Sequence, residues 1–292
     1  MIWKKIKFND SFSNESFLIF RKNKKLYLKK CYKKIDKRLI DSIKKHLDYK
    51  KKIRISRVYS VSILKENIYK KKFIVMPYKK GFSGELIIKN CNVKIINFLK
   101  FFYDSYFEKL KKEIIWKPIE KKLYEEKLTS IKMNIKVKSL LPSFYRLSNK
   151  IKKKLNQNFF YPYGFCHGDL TLSNMIVDNN KIYLIDFLKT FNDGIAQDIA
   201  KIYQEFKFGW SSKYFDKSDL IRTKLFYSSI FSKNYFLRYD KKILNVLNLE
   251  IAMSFIRIFP YVKENNVKIQ EWLIECCMYI SRNFNKKKLL EF

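Results

Sequence analysis

Residues 164–190 read GFCHGDLTLSNMIVDNNKIYLIDFLKT and hold the polar side chains on which the functional interpretation rests. Asn174 follows Asp169 by five positions, and Asp186 comes twelve positions later. Two short apolar runs, 175–177 and 182–185, flank an Asp-Asn-Asn turn, and this pattern predicts a β-hairpin. Because the outer ends of an antiparallel hairpin meet, we expect these three polar residues to lie together.

Two carboxylates and one amide suit phosphoryl transfer. In that reaction the protein orients an acceptor hydroxyl and holds Mg²⁺ against the phosphates with oxygen ligands. Mg²⁺ keeps several waters and phosphate oxygens, so one carboxylate and one amide are enough protein ligands. In the same stretch we interpret Cys166 as a small buried residue and His167 as a structural histidine under the loop.

The composition indicates a globular protein with one large or two ordinary domains, since 47% of the 292 residues are hydrophobic. The first ten residues contain no apolar signal-peptide core, and no run approaches the roughly 18 apolar residues of a membrane span. We therefore expect a cytoplasmic protein. The five cysteines are scattered and there are two histidines, so neither a disulfide framework nor a structural zinc site is indicated.

The formal net charge of +36 raises nucleic acid or an anionic membrane as a partner. The lysines, however, are spread along the whole chain and are not gathered on one helix or arm. We interpret them as a solvated basic surface that attracts anionic substrates and, weakly, anionic surfaces, and we expect no specific nucleic-acid binding. The sequence gives no prediction of the oligomeric state.

The first third of the chain is predicted to be rich in strands. Residues 16–32 form a hairpin pattern, 36–50 a surface helix, and 53–64 and 73–76 two further strands. Strand alternation places Lys29 on one face of the hairpin and Lys30 on the other, and periodicity alone does not choose between them.

Gly81 and Gly84 mark a predicted boundary, and helical periodicity dominates from residue 93 onward. The predicted fold is α+β and two-lobed. A small β-rich N-terminal lobe spans residues 1–78, a hinge spans 79–84, and a larger, mainly helical C-terminal lobe spans 85–292.

The motif His167-Gly168-Asp169, with Asn174 five residues on and Asp186-Phe187 further downstream, resembles that of the aminoglycoside phosphotransferase and choline kinase group. These proteins are relatives of the eukaryotic-like protein kinases. The resemblance implies a two-lobed protein-kinase-like fold, ATP and Mg²⁺ as cofactors, and a hydroxyl-bearing small molecule as the acceptor.

The resemblance also implies roles for the residues of the stretch. Asp169 would be the catalytic base or orienting carboxylate, and Asn174 and Asp186 the Mg²⁺ ligands. Asp198, downstream, would brace the catalytic loop.

The nucleotide-binding residues follow from the same resemblance. Lys29 would contact the α- and β-phosphates, and Met76 and Tyr78 would belong to the hinge that binds adenine through its backbone. The helix acid that pairs with the lysine would be Asp41, with Asp48 as the alternative.

Two departures from the family pattern concern the phosphates and the metal loop. The turn at 11–16 that should cover the phosphates contains no glycine, and Asp186-Phe187 continues with Leu188 where protein kinases have glycine. The predicted function is an ATP-dependent kinase acting on a small-molecule hydroxyl, with a sugar or sugar-like metabolite first and choline or ethanolamine next. The alternatives are a pseudokinase-like nucleotide-binding module and an aminoglycoside kinase, although a polycationic acceptor conflicts with the positive charge.

Overall fold

The computed structural model describes residues 3–6, 15–67, 72–178, 180–215 and 217–292. As predicted, the fold is α+β, with a small sheet followed by a mainly helical lobe. The small sheet has five antiparallel strands in the order β1-β2-β3-β6-β5. The strands before residue 78 are β1 Trp3–Ile6, β2 Glu15–Lys22, β3 Lys25–Tyr32, β4 Val58–Ser60, β5 Lys65–Asn67 and β6 Phe73–Pro77.

The predicted hairpin at residues 16–32 is confirmed as β2 and β3. The two residues between the strands, Asn23 and Lys24, have φ values of 50° and 61°. Two consecutive left-handed residues form the tight turn whose twist matches that of paired strands. The register is therefore fixed by the turn, and Lys29 lies opposite Leu18 while Lys30 lies opposite Phe17.

The predicted surface helix is α1, Lys37–Lys52, and Asp36 caps its N-terminus. Ile43 lies on the apolar face of this helix, where it packs with Ile74 and Met76 in the small core beneath the sheet. Burial of this face fixes α1 against the sheet.

The strand predicted at 53–64 is largely wrong, because only β4 forms there and it belongs to a different sheet. β4 pairs in parallel with β10, Lys181–Leu184, which pairs antiparallel with β9, Met175–Asp178. An isolated two-stranded hairpin is marginally stable, so a third strand that buries Val58 stabilises the β9–β10 hairpin. This sheet also connects the first part of the chain to the helical lobe.

The predicted hinge contacts β9 directly. Phe82 and Val177 exchange two backbone hydrogen bonds, and the N–H of Gly84 donates to the carbonyl of Leu172 at 2.9 Å. The division of the chain at residues 79–84 stays a prediction.

The second lobe packs its helices around one large apolar core. Its helices are α2 Glu85–Lys89, α3 Val93–Lys112, α4 Lys121–Met133, α5 Leu141–Leu155, α6 Ile195–Ile202, α7 Lys217–Ile230, α8 Lys241–Ile256 and α9 Val267–Asn283, and a short β7–β8 pair joins Ile115–Pro118 to Phe160–Tyr163. Contrary to the sequence expectation, Lys241–Tyr261 has the length and composition of a membrane span. It is 72% buried within the lobe, as a core helix is.

Candidate active site

The β9–β10 hairpin brings Asp169, Asn174 and Asp186 together. The N–H of Ile185 donates to the carbonyl of Asn174 at 3.1 Å, so residues 174 and 186 lie at the same end of the hairpin. The amide nitrogen of Asn174 donates to the backbone carbonyl of Asp169 at 2.8 Å and to its Oδ2 at 2.9 Å. The convergence expected from the hairpin pattern is therefore present.

Asp198, on α6, holds the loop that carries Asp169. Its buried carboxylate accepts hydrogen bonds from the N–H groups of His167 and Gly168 and from the hydroxyl of Tyr106, each at 2.7 Å. Burial raises the pKa of Asp198 to about 6, against the opposing effects of Lys45 and of these donors. The bracing role implied by the resemblance agrees with this geometry.

Gly168 permits a close backbone contact beside the carboxylate of Asp169. Its φ is +86°, and a Cβ placed there would lie 2.0 Å from the carbonyl oxygen of Leu188. Next to it His167 is buried, its Nδ1 accepts from the N–H of Asp169 at 3.3 Å, and its Nε2 lies 2.9 Å from the carbonyl of Ile185. Burial lowers the pKa of His167 to about 3, so this histidine is neutral and structural, as expected.

Lys201, also on α6, is a site residue that the sequence did not reveal. Its Nζ lies 3.0 Å from Oδ1 of Asp169. Burial alone would raise the pKa of Asp169, but the ammonium of Lys201 and lesser contributions hold it below its usual value. Asp169 is therefore a carboxylate at neutral pH, fit to accept a hydrogen bond from a hydroxyl. Lys201 is one of 63 basic residues, and nothing in its spacing distinguishes it.

The lysine that faces the site is Lys30, and the prediction of Lys29 is corrected. Lys30 is buried and its Nζ lies 2.8 Å from Oδ1 of Asp186. Lys29 Nζ lies over the ring of Phe73, 4.2 Å from its centroid. Successive residues of a strand point to opposite faces, so only one of the two lysines reaches Asp186.

The predicted pairing of Asp41 with this lysine is replaced by the Lys30–Asp186 pair. Asp41 lines a cavity with Lys127 and Arg257, and Asp48 forms an exposed pair with Lys51 at 3.5 Å. The α1 residue that packs against Ile74, the cross-strand neighbour of Lys30, is the apolar Ile43. Asp41 and Asp48 lie on other faces of α1 than Ile43 and are therefore wrongly oriented for the role.

The hinge residues differ in the backbone groups that they could use to bind adenine. Met76 is buried in the small core. Pro77 has no N–H, and the N–H of Tyr78 already donates to the carbonyl of Leu26 at 3.0 Å. The adenine-binding role of Met76 and Tyr78 stays a prediction. Of the turn at 11–16, residues 11–14 lie outside the described residues.

The donor set fits Mg²⁺. Asp186 and Asn174 offer carboxylate and amide oxygens, the hard ligands that this ion prefers. Because the NH₂ group of Asn174 donates its hydrogen bonds to Asp169, the amide oxygen can serve as a metal ligand. Asp186 has φ +56°, a left-handed conformation that is uncommon for aspartate and clusters at functional sites.

A small antiparallel sheet, a helical lobe and this Asp-Asn-Asp arrangement define the class of two-lobed, kinase-like phosphotransferase folds. The family model of the APH phosphotransferase enzyme family matches residues 136–218. The matched range contains the whole of residues 164–190. The resemblance stated from the sequence is confirmed. Among curated protein sequences, none matches this chain significantly.

Solved structures confirm the fold class. A thermostable mutant of aminoglycoside phosphotransferase APH(4)-Ia matches with a TM-score of 0.64 and 9% identity, over 98% of this chain and 95% of the other. Spectinomycin phosphotransferase APH(9)-Ia, in complex with ADP and spectinomycin, matches with a TM-score of 0.54 and 13% identity, over 96% of this chain and 93% of the other. Plasmodium vivax ethanolamine kinase matches with a TM-score of 0.52 and 16% identity, over 97% of this chain and 83% of the other. At these identities the likeness establishes the fold.

Proposed function

We propose that this protein is a phosphotransferase that moves a phosphoryl group from ATP to a hydroxyl of a small molecule. The family match and the kinase-like fold support a phosphotransferase that acts on small molecules. The main observation behind the proposal is that Asp169, Asn174 and Asp186 lie together, with the buried Lys30 in contact with Asp186. Complexes of the neighbours with ADP support ATP as the donor.

Each residue of the site has a role that its geometry supports. Asp169 orients the acceptor hydroxyl and accepts its hydrogen bond, since Lys201 keeps the carboxylate ionised. Asn174 and Asp186 would hold Mg²⁺, which when bound neutralises phosphate charge. Lys30 replaces Lys29 as the residue that would contact the phosphates, because it lies 2.8 Å from Asp186.

The acceptor is the finer part of the proposal. The sequence favours a sugar or sugar-like metabolite, with choline or ethanolamine next, but the structural neighbours include aminoglycoside, spectinomycin and ethanolamine kinases. The fold therefore does not favour a sugar over these acceptors. The chemistry of the cavity next to Thr190 and Phe191 is the better guide.

The test separates nucleotide binding from catalysis. Mg-ATP should raise the melting temperature of the wild-type protein, because a ligand that binds only the folded state stabilises it by about 2.7 kcal/mol at 100 times Kd. Asp169→Asn should keep this shift and lose phosphate transfer, since the amide retains the shape but not the charge.

The matched control is Asp178→Asn, at the turn end of the same hairpin, which should leave transfer unchanged. Absence of a thermal shift at millimolar Mg-ATP would refute the proposal. A shift without detectable transfer in the wild-type protein would favour the pseudokinase-like alternative, and unchanged turnover in Asp169→Asn would show that the catalytic residue is misassigned.

A further inference from the structure

A cavity of about 340 Å³ lies against the segment that follows Asp186. Thr190 and Phe191 form one wall, the start of α1 another, and α4 and the residue after α8 complete the lining. The volume lies within the range of small-molecule sites. Arg257, one of the lining residues, also helps to lower the pKa of Asp169, after the larger effect of Lys201.

The lining of this cavity is strongly basic. It contains five cations, Lys37, Arg38, Lys127, Lys189 and Arg257, and one carboxylate, Asp41. Lys and Arg make up 63 of the 292 residues, about a fifth, so an eight-residue lining drawn at random would hold about two. Composition bias alone does not account for five.

The acidic neighbours leave part of this charge unbalanced. Lys189 pairs with Asp193 at 3.0 Å, but that carboxylate also pairs with Lys45 at 3.0 Å. Arg257 interacts with Asp169, which already pairs with Lys201 at 3.0 Å, and then with Glu250, whose buried carboxyl has a pKa raised to about 7 by burial.

Lys127, on α4, lies within the same excess of positive charge. Burial, followed by repulsion from Arg257 and then Arg38, lowers its pKa to about 8. The other charged groups of the lining are Lys37, Lys189 and Asp41. A cluster whose cations depress one another's protonation is stabilised by an anion placed among them.

We propose that this cavity is the acceptor site and that the acceptor is a small hydroxyl compound carrying a phosphate or carboxylate group bound by Lys127, Arg257 and Arg38. Guanidinium and ammonium groups bind such anions through charge-assisted hydrogen bonds. The site repels the cationic acceptors that fold neighbours use, aminoglycosides and ethanolamine. The inference rests on the proposed phosphotransferase function and names its substrate class.

The test uses a cellular metabolite extract, separated by ion exchange into anionic, neutral and cationic fractions, with radiolabelled ATP as donor. Labelled product should form only with the anionic fraction. Phosphatase treatment of that fraction removes acceptors whose anion is a phosphate ester, and amidation removes those that depend on a carboxylate. These two arms identify which anion is recognised.

The variant for this test is Lys127→Gln, with Lys122→Gln as the matched control on the exposed side of the same helix. Loss of one charge-assisted contact should raise the acceptor KM about tenfold in Lys127→Gln, with little change in the KM for ATP. The wild-type acceptor KM should rise as the pH passes 8, where Lys127 loses its proton, and this rise should be absent in the variant.

The outcomes separate this inference from the function on which it rests. Transfer to a neutral or cationic fraction, or equal acceptor KM values in the two variants, would overturn the inference and leave the kinase function intact. If no fraction is labelled although Mg-ATP binds, a second measurement tests the anion site. Inorganic phosphate is added to the Mg-ADP complex, and the change in melting temperature is measured. A thermal shift that needs Lys127 but not Lys122 supports the site, and its absence overturns it. Failure to bind Mg-ATP would refute the function itself.

Discussion

Replacement of Lys30 by Met, compared with the same change at Lys29, tests the assignment of the site lysine. The two residues are adjacent on β3 and carry the same charge. Lys30 Nζ lies 2.8 Å from Asp186, whereas Lys29 Nζ lies over Phe73. Met keeps the length of the apolar stem and removes the ammonium, so both variants lose one positive charge.

The expected fall in kcat/KM follows from the loss of the hydrogen bond between the Lys30 ammonium and a phosphate. A hydrogen bond to a charged partner contributes about 1.5–3 kcal/mol, so kcat/KM for Mg-ATP should fall about 10- to 150-fold in Lys30→Met. The folded protein should lose little stability, about 1 kcal/mol, because Asp186 is 36% exposed and water can solvate its released carboxylate. Lys29→Met should remain within about twofold of the wild-type kcat/KM.

Both quantities can be measured on the same preparations. Steady-state ATP turnover at varied Mg-ATP gives kcat/KM, and a urea titration gives the free energy of unfolding. If Lys29→Met loses as much kcat/KM as Lys30→Met, or if Lys30→Met keeps wild-type turnover, then the side-chain direction does not identify the phosphate-contacting lysine and the correction fails.

Three further predictions concern the loop around Asp169. Gly168→Ala should lower the free energy of unfolding by more than about 2 kcal/mol in a urea titration, because its φ is +86° and its Cβ would meet the carbonyl of Leu188 at 2.0 Å; Gly164→Ala, whose nearest neighbour would be 3.1 Å away, should cost less. Asp198→Asn should lose about 3 kcal/mol, since an NH₂ group would face N–H or O–H donors, while Tyr106→Phe should lose about 1 kcal/mol; equal losses would contradict the bracing role. Lys201→Met should move the acid limb of the kcat/KM profile to higher pH, because the cation that lowers the pKa of Asp169 is gone, and Lys201→Arg should restore it; an unmoved limb in Lys201→Met would show that Lys201 does not set this ionisation.

The hairpin and its polar ends could be predicted because their determinants are local. Two apolar runs and a turn within residues 175–185 fix the strand pairing, and pairing alone brings Asn174 next to Asp186. The β2–β3 hairpin was predictable for the same reason. Its turn geometry resides in two adjacent residues, Asn23 and Lys24.

Residues brought to the site from distant parts of the chain could not be predicted in this way. The choice of Lys30 over Lys29 depends on which face of β3 is turned toward Asp186, 156 positions away. The sheet to which β4 belongs could not be predicted, because its partner, β10, lies more than 120 positions downstream. Tyr106 reaches Asp198 from α3, and a tyrosine in a chain with 20 of them gives no signal.

The charges of the site explain why the net charge alone could not identify the acceptor. Asp169 has the ammonium of Lys201 at 3.0 Å and Asp186 has that of Lys30 at 2.8 Å, so the two carboxylates and two lysines of the proposed reaction centre pair one to one. The cavity next to Thr190 has no such balance, since burial, followed by repulsion from Arg257 and Arg38, lowers the pKa of Lys127 to about 8. A total of +36 describes the whole surface, whereas the pairing of individual charges distinguishes a reaction centre from an anion site. The incompletely balanced cations of this cavity are therefore the argument for an anionic acceptor, and the same argument would hold if the rest of the surface were neutral.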